Sequence, residues 1–168
     1  MTLKIFSTVT VMLCGFLIGL EGKNRLNRRL HSLEMFRSLF HEMKMMIAHS
    51  GLALDDIAYE LADRHENNPF LQLLIQTLYQ TSFHSGWKQC IEAQYRMLCL
   101  NAEDKKCLID CAARLGQSNV EGELHTLSLI DDQLSSMVEE ARQKAGSDGK
   151  IVTIVGSSCG IILALLLI

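Results

Sequence analysis

Six histidines and six cysteines are the side chains in this chain best suited to hold a metal or act as nucleophiles, and their spacing points to neither. His31, His41, His49, His65, His84 and His125 are scattered, and the His41-Glu42 pair has no second histidine at the helical spacing a zinc site uses. Cys14, Cys90, Cys99, Cys107, Cys111 and Cys159 contain no Cys-x-x-Cys. Cys107 and Cys111 lie one helical turn apart, a spacing that small buried side chains also adopt. There is no Gly-rich phosphate loop and no recognised nucleophile motif, and Asp55-Asp56 and Asp131-Asp132 read as surface charge on helices. The expectation is a non-enzymatic protein with no cofactor and no metal.

The elements that carry these residues all read as helices. Leu26, Leu30, Leu33, Phe36, Phe40, Met43 and Ile47 recur every three or four positions, one stripe of a long helix that Gly51 ends. Leu54, Ile57, Ala58 and Leu61 mark a shorter helix. Asn68-Pro69 is an N-cap followed by proline at the first helical position, opening a helix with Phe70, Leu73, Leu74, Thr77 and Leu78. Ser85 is the expected cap of a helix bearing Trp87, Ile91, Tyr95 and Leu98. Asn101 and Asp104 cap the next, which carries Leu108, Cys111, Ala112 and Leu115. After Gly116, Ser118 and Glu121 form a capping box for a long helix with Val120, Leu124, Leu127, Ile130, Leu134, Met137 and Ala141 on one face. With a single proline and no alternating strand pattern, the fold class is all-α, a bundle of about six helices. The two longest helices flank it and are expected to pack antiparallel.

Both ends are hydrophobic. Residues 5–20 and 151–168 are uncharged, and two such runs beside basic residues read as membrane-spanning helices. No small-x-small cleavage site follows the first, so it is expected to stay attached. The division is residues 1–22 as an N-terminal transmembrane segment, 23–145 as a helical domain, 146–150 as a flexible linker (Gly146-Ser147-Asp148-Gly149), and 151–168 as a C-terminal transmembrane segment. Lys23, Arg25, Arg28 and Arg29 follow the first run, placing the domain in the cytosol and its thiols in a reducing compartment. The same cluster can meet lipid head groups. Gly15 with Gly19 and Gly156 with Gly160 give each run a small-xxx-small face, which can pair within one chain or in a homo-oligomer. The net charge of −3, without aromatics among the basic residues, argues against nucleic-acid binding.

Several stretches together resemble the stage III sporulation protein AB family of endospore-forming bacteria. They are Arg25-Leu26-Asn27-Arg28-Arg29-Leu30 after the short anchor, Gly86-Trp87-Lys88-Gln89, Leu108, Leu115-Gly116-Gln117-Ser118-Asn119 and the hydrophobic tail. Where the family usually has an acidic residue after the Leu-Gly-x-Ser core and a glutamine further on, this chain has Asn119 and Glu123. The resemblance implies a helical domain similar to the F proteins of type II secretion and type IV pilus systems. It also implies a place in the mother-cell membrane facing the forespore, as a scaffold subunit of the channel between the two. The implied partners are the complex's secretion-type ATPase, stage III sporulation protein AA, and other channel subunits. The expected partner surface is the helix–Gly–helix corner of Leu115, Gly116, Ser118, Asn119, Glu121 and Glu123. The competing class is a membrane-anchored regulator responding to redox state or metal through Cys107 and Cys111 or the histidines.

Overall fold

A computed structural model describes the backbone of residues 2–167 and the side chains of residues 17, 19–147 and 158. It is all-α: α1 (Thr2–Ser50), α2 (Leu54–Arg64), α3 (Pro69–Leu78), α4 (Phe83–Gln94), α5 (Ala102–Ala113) and α6 (Val120–Leu167). The chain divides into two compact units, one of Met1–His31 with Glu139–Ile168 and one of Ser32–Val138.

The six predicted stripes map one to one onto these helices, but several boundaries move. α1 carries the first hydrophobic run into the Leu33 stripe without a break. The expected linker at 146–150 is not a break either: α6 continues through it, and Ser147 Oγ donates to the Gln143 carbonyl one turn back. Ser and Gly lower helix propensity by under about 1 kcal/mol each, too little to stop a helix already long on both sides. Among the described residues no helix is long and apolar enough to cross a membrane. Almost all of the two hydrophobic runs, including Gly15, Gly156 and Gly160, lies outside the residues whose side chains are described, while Gly19 is buried.

The Ser32–Val138 unit is built around Trp87. Its ring centroid lies 4.9 Å from that of Phe70, 5.3 Å from Phe40, 5.6 Å from Phe83 and 6.0 Å from Phe36, so α1, α3 and α4 meet at one indole. The indole N–H cannot be left unpaired in such a place, and it donates to the Leu108 carbonyl of α5 at 3.1 Å. Leu33, Leu39, Met43, Ile57, Leu61, Leu74, Ile91, Leu108, Leu115, Ile130 and Leu134 complete a core whose members are at most 3 % exposed. On α6 the buried face is Leu127, Ile130, Leu134 and Val138, not the Met137 side, and Val120 is 48 % exposed.

Within this unit α1 and α6 run antiparallel. Arg37 Nε meets Asp131 Oδ1 at 2.8 Å, and seven residues further along α1 Lys44 Nζ reaches Ser128 Oγ at 2.8 Å, so one helix ascends as the other descends. The corners follow local chemistry. Asn68 Oδ1 accepts from the Phe70 and Leu71 amides to cap α3, and Asn101 with Asp104 forms the reciprocal capping box of α5. Ser85 does not cap α4. The helix starts earlier, with Ser82 at the N-cap, which turns Phe83 into the core and leaves Ser85 in the first turn. Nor does α4 carry its stripe through Leu98. It gives way to turns after Gln94, and Cys99 takes a left-handed φ of 56°. There the Leu100 amide reaches the Tyr95 carbonyl and the Cys99 amide that of Arg96, a Schellman ending with cysteine where glycine is usual. Ser32 Oγ of α1 donates to the Leu98 carbonyl and holds this ending in place.

Candidate functional site

The expected partner surface forms a real corner between α5 and α6, held from three sides. Gly116 has φ +73°, which favours glycine, and a Cβ built on it would lie 2.9 Å from Leu54 Cδ1 of α2 and push that methyl aside. The Leu115 carbonyl accepts from His84 Nε2 of α4 at 2.9 Å if that nitrogen carries the proton. The third hold is Glu123. Its Oε1 accepts from the Gln117 amide (3.0 Å), the Ser118 amide (3.0 Å) and the Ser118 hydroxyl (2.9 Å).

This differs from the expected capping box. Asn119, not Ser118, is the N-cap of α6, with Oδ1 accepting from the Gly122 amide at 3.0 Å. Ser118 instead turns its hydroxyl to Glu123, which reaches back over the first turn in place of Glu121. The six predicted residues therefore divide. Ser118, Asn119 and Glu121 are exposed and Gly116 is open at the turn, while Leu115 (0 %) and Glu123 (6 %) are buried and hold the corner from within. Burial pushes the Glu123 carboxyl up. The backbone N–H groups of Gly116, Ser118 and Gln117 and the Ser118 hydroxyl outweigh it, and the group titrates below the usual glutamate range. Glu123 is a buried carboxylate kept ionised by a nest of donors.

A cavity of about 170 Å³ opens at this corner. Ile47, Leu52, Leu54 and Val120 give it apolar walls, and Gly51, Gly116, Ser118 and Glu123 supply the rest. Sequence reasoning placed the 115–123 segment here but not residues 51–54 of the α1–α2 turn. Gly51, with φ +59°, was legible as a helix end, but periodicity carries no signal of which corner it meets.

The remaining site residues do not converge on this corner. Lys23, Arg25 and Arg28 are exposed in the other unit, whereas Arg29 is 8 % exposed, so the basic cluster splits into three surface cations and one buried one. Cys107 and Cys111 on α5 lie with sulfurs 3.8 Å apart, and Gln133 Nε2 of α6 donates to Cys107 Sγ at 3.1 Å. The hydrogen bond from Cys111 lowers the Cys107 pKa, and the same bond with burial raises that of Cys111. Among the described residues no three His, Cys, Asp or Glu side chains are placed to hold a metal ion.

The family model of stage III sporulation protein AB matches residues 4–168, essentially the whole chain. The chain belongs to the stage III sporulation protein AB family. The Leu115-Gly116-Gln117-Ser118-Asn119 stretch that carried the resemblance is thus the corner held by Glu123, and the Gly86-Trp87 pair sits at the centre of the core. No curated protein and no solved structure matches the chain. The family makes this a protein of the third stage of sporulation.

Proposed function

We propose that this member of the family is a non-enzymatic scaffold subunit of the channel complex between mother cell and forespore. Its hydrophobic ends sit in the mother-cell membrane, and its helical domain presents a docking corner to the complex's secretion-type ATPase, stage III sporulation protein AA. The observation that carries the reading is the corner itself. A buried ionised Glu123, Gly116 and His84 fix the backbone of a surface loop, while Asn119, Glu121, Leu52 and Val120 are left exposed around it. Rigid presentation of exposed side chains is what a binding surface needs. Membership of the family supports a role in sporulation, and the uncharged runs at 5–20 and 151–168 support membrane attachment.

The test is co-purification of the full-length chain, in detergent, with the ATPase. Glu121→Lys changes only an exposed side chain, so capture should fall while the circular dichroism spectrum stays helical. Unchanged capture would remove the corner from the interface, and no capture by the unsubstituted chain would remove the ATPase as its partner. The sulfur–sulfur contact of Cys107 and Cys111 supports a second reading, a thiol-responsive regulator. A Cys107→Ser, Cys111→Ser chain that folds but no longer sustains sporulation would favour it over the scaffold.

A further inference from the structure

The outer face of α2 carries an aromatic pair that the core does not use. Tyr59 and Tyr79, the latter at the C-terminal end of α3, stand edge to face with ring centroids 6.2 Å apart, yet Tyr79 is 77 % and Tyr59 38 % exposed. Two large rings held against each other in water, outside the core, are surface that another molecule can cover. Their flanks are charged. Asp55 and Asp56 lie four and three residues before Tyr59 and Asp63 four after it, spacings that share a helix face, and all three are exposed. From Leu52 to Ser82 the chain has five carboxylates (Asp55, Asp56, Glu60, Asp63 and Glu66) against one arginine. That arginine, Arg64, is already paired with Glu60 at 2.6 Å, and His65 with Glu42 at 2.9 Å. At the α3 end the exposed neighbours of Tyr79 are the neutral Gln76 and Gln80.

We infer that this face of the α2–α3 hairpin is a docking surface for a cationic, arginine-bearing segment of a partner protein. A tyrosine ring attracts a cation over its face, and a guanidinium can stack there while its N–H groups reach a neighbouring carboxylate. The aspartates one turn either side of Tyr59 supply that second contact. Charge decides among macromolecules. Nucleic acid and anionic lipid carry the same sign as this face and are repelled by it, whereas a basic polypeptide is attracted and steered to it. The positive N-terminal end of α2 opposes a cation with roughly half a unit charge, and Asp55 with Asp56 in its first turn outweighs it. The inference goes beyond the scaffold reading, because it names a second surface and the charge of what covers it. It holds whether or not the ATPase is the partner at the corner.

The experiment is fluorescence anisotropy of a dye-labelled Arg-Gly repeat peptide, titrated with the full-length chain in a non-ionic detergent at low salt. A Glu-Gly repeat peptide is the control. Saturable binding of the Arg-Gly peptide alone is the expected result. Tyr59→Ser with Tyr79→Ser removes both rings and no charge, and should weaken binding by about tenfold. Asp55→Asn, Asp56→Asn and Asp63→Asn together keep the rings, and should weaken it at least as much and flatten its salt dependence. Glu103→Gln with Asp110→Asn removes two exposed carboxylates of α5 instead, and should leave binding within about twofold of the parent. Circular dichroism and Trp87 fluorescence report whether each chain is folded. Should the double tyrosine variant unfold, Tyr79→Ser alone, at the more exposed ring, carries the test with a loss of about threefold. Undiminished binding by a folded chain without the rings, no binding by the unsubstituted chain, or an equal loss in the α5 variant would each overturn the surface. So would self-association of the chain that Tyr79→Ser abolishes, because the face would then belong to a second copy.

Discussion

Removing the Glu123 carboxylate should loosen the α5–α6 corner by a calculable amount. Its Oε1 accepts three hydrogen bonds, and bonds to a charged group contribute about 1.5–3 kcal/mol each. Gln117 and Ser118 are exposed, so their donors find water once the acceptor is gone, and the loss should sit well below the sum. Glu123→Ala is therefore expected to destabilise the fold by about 3 kcal/mol. Glu123→Gln keeps an oxygen in the same place, with neutral bonds roughly half as strong, and should cost about 1.5 kcal/mol. The assay is urea unfolding of the full-length chain in detergent, followed by the fluorescence of Trp87, the only tryptophan and one at the centre of the Ser32–Val138 core. The pH dependence has a definite sign. The folded-state pKa is depressed, so the contribution is present above the ordinary glutamate pKa of about 4.3 and is lost as pH falls through the lower folded value. The unsubstituted chain should lose more stability across that acid window than Glu123→Gln does. A Glu123→Ala chain within about 0.5 kcal/mol of the parent, or a Gln variant as unstable as the Ala one, would refute the claim that this carboxylate holds the corner.

Other substitutions probe the rest of the frame. Cys99→Gly relieves a left-handed residue of its Cβ, and after the entropy glycine adds to the unfolded chain it should stabilise by about 0.5–1 kcal/mol in the same urea assay. Trp87→Phe removes the donor to the buried Leu108 carbonyl and leaves a void among four phenylalanines. It should cost about 3 kcal/mol, read by circular dichroism because the fluorophore is gone. Arg37→Ala breaks a pair with Asp131 whose side chains are 41 % and 32 % exposed, so the loss should stay under about 1 kcal/mol and shrink further in high salt. Asn101→Ala opens the capping box of α5 and should cost about 1 kcal/mol, with Asp104 left buried beside an uncapped helix end.

What was legible in the sequence was whatever short-range chemistry decides. Asn68-Pro69, Asn101 with Asp104, Gly51 and Gly116 each have a local mechanism, and each does in the structure what that mechanism requires. The errors arise where a distant contact chose between two local options. Ser118 and Asn119 are both good N-caps. Glu123 lies one turn into α6 at the fourth helical position, so its carboxylate can reach over the first turn, and it recruits Ser118 and leaves the cap to Asn119. Ser85 and Ser82 pose the same choice for α4, and burying Phe83 beside Trp87 favours the earlier start. The 146–150 segment reads as a joint by composition, yet neighbouring turns on both sides keep it helical. The cavity was invisible because its two halves, residues 47–54 and 116–123, are far apart in sequence.

The division of the corner into buried and exposed carboxylates changes how any partner interface there must be tested. Glu121 and Glu123 are two residues apart on one helix, so they look interchangeable on the sequence, and reversing both charges at once would seem a clean probe. It is not, because a lysine at 123 would place a cation against the backbone donors of Gly116, Gln117 and Ser118. Loss of partner binding would then report a broken corner. Glu121, exposed and without a part in the Glu123 bonds, reports contact alone, while Glu123→Gln weakens the hold on the corner without reversing its charge. If a partner docks at the corner, the two substitutions should separate kinetically. Glu121→Lys acts on long-range attraction and so on the association rate, and Glu123→Gln loosens the backbone that is presented and so speeds dissociation.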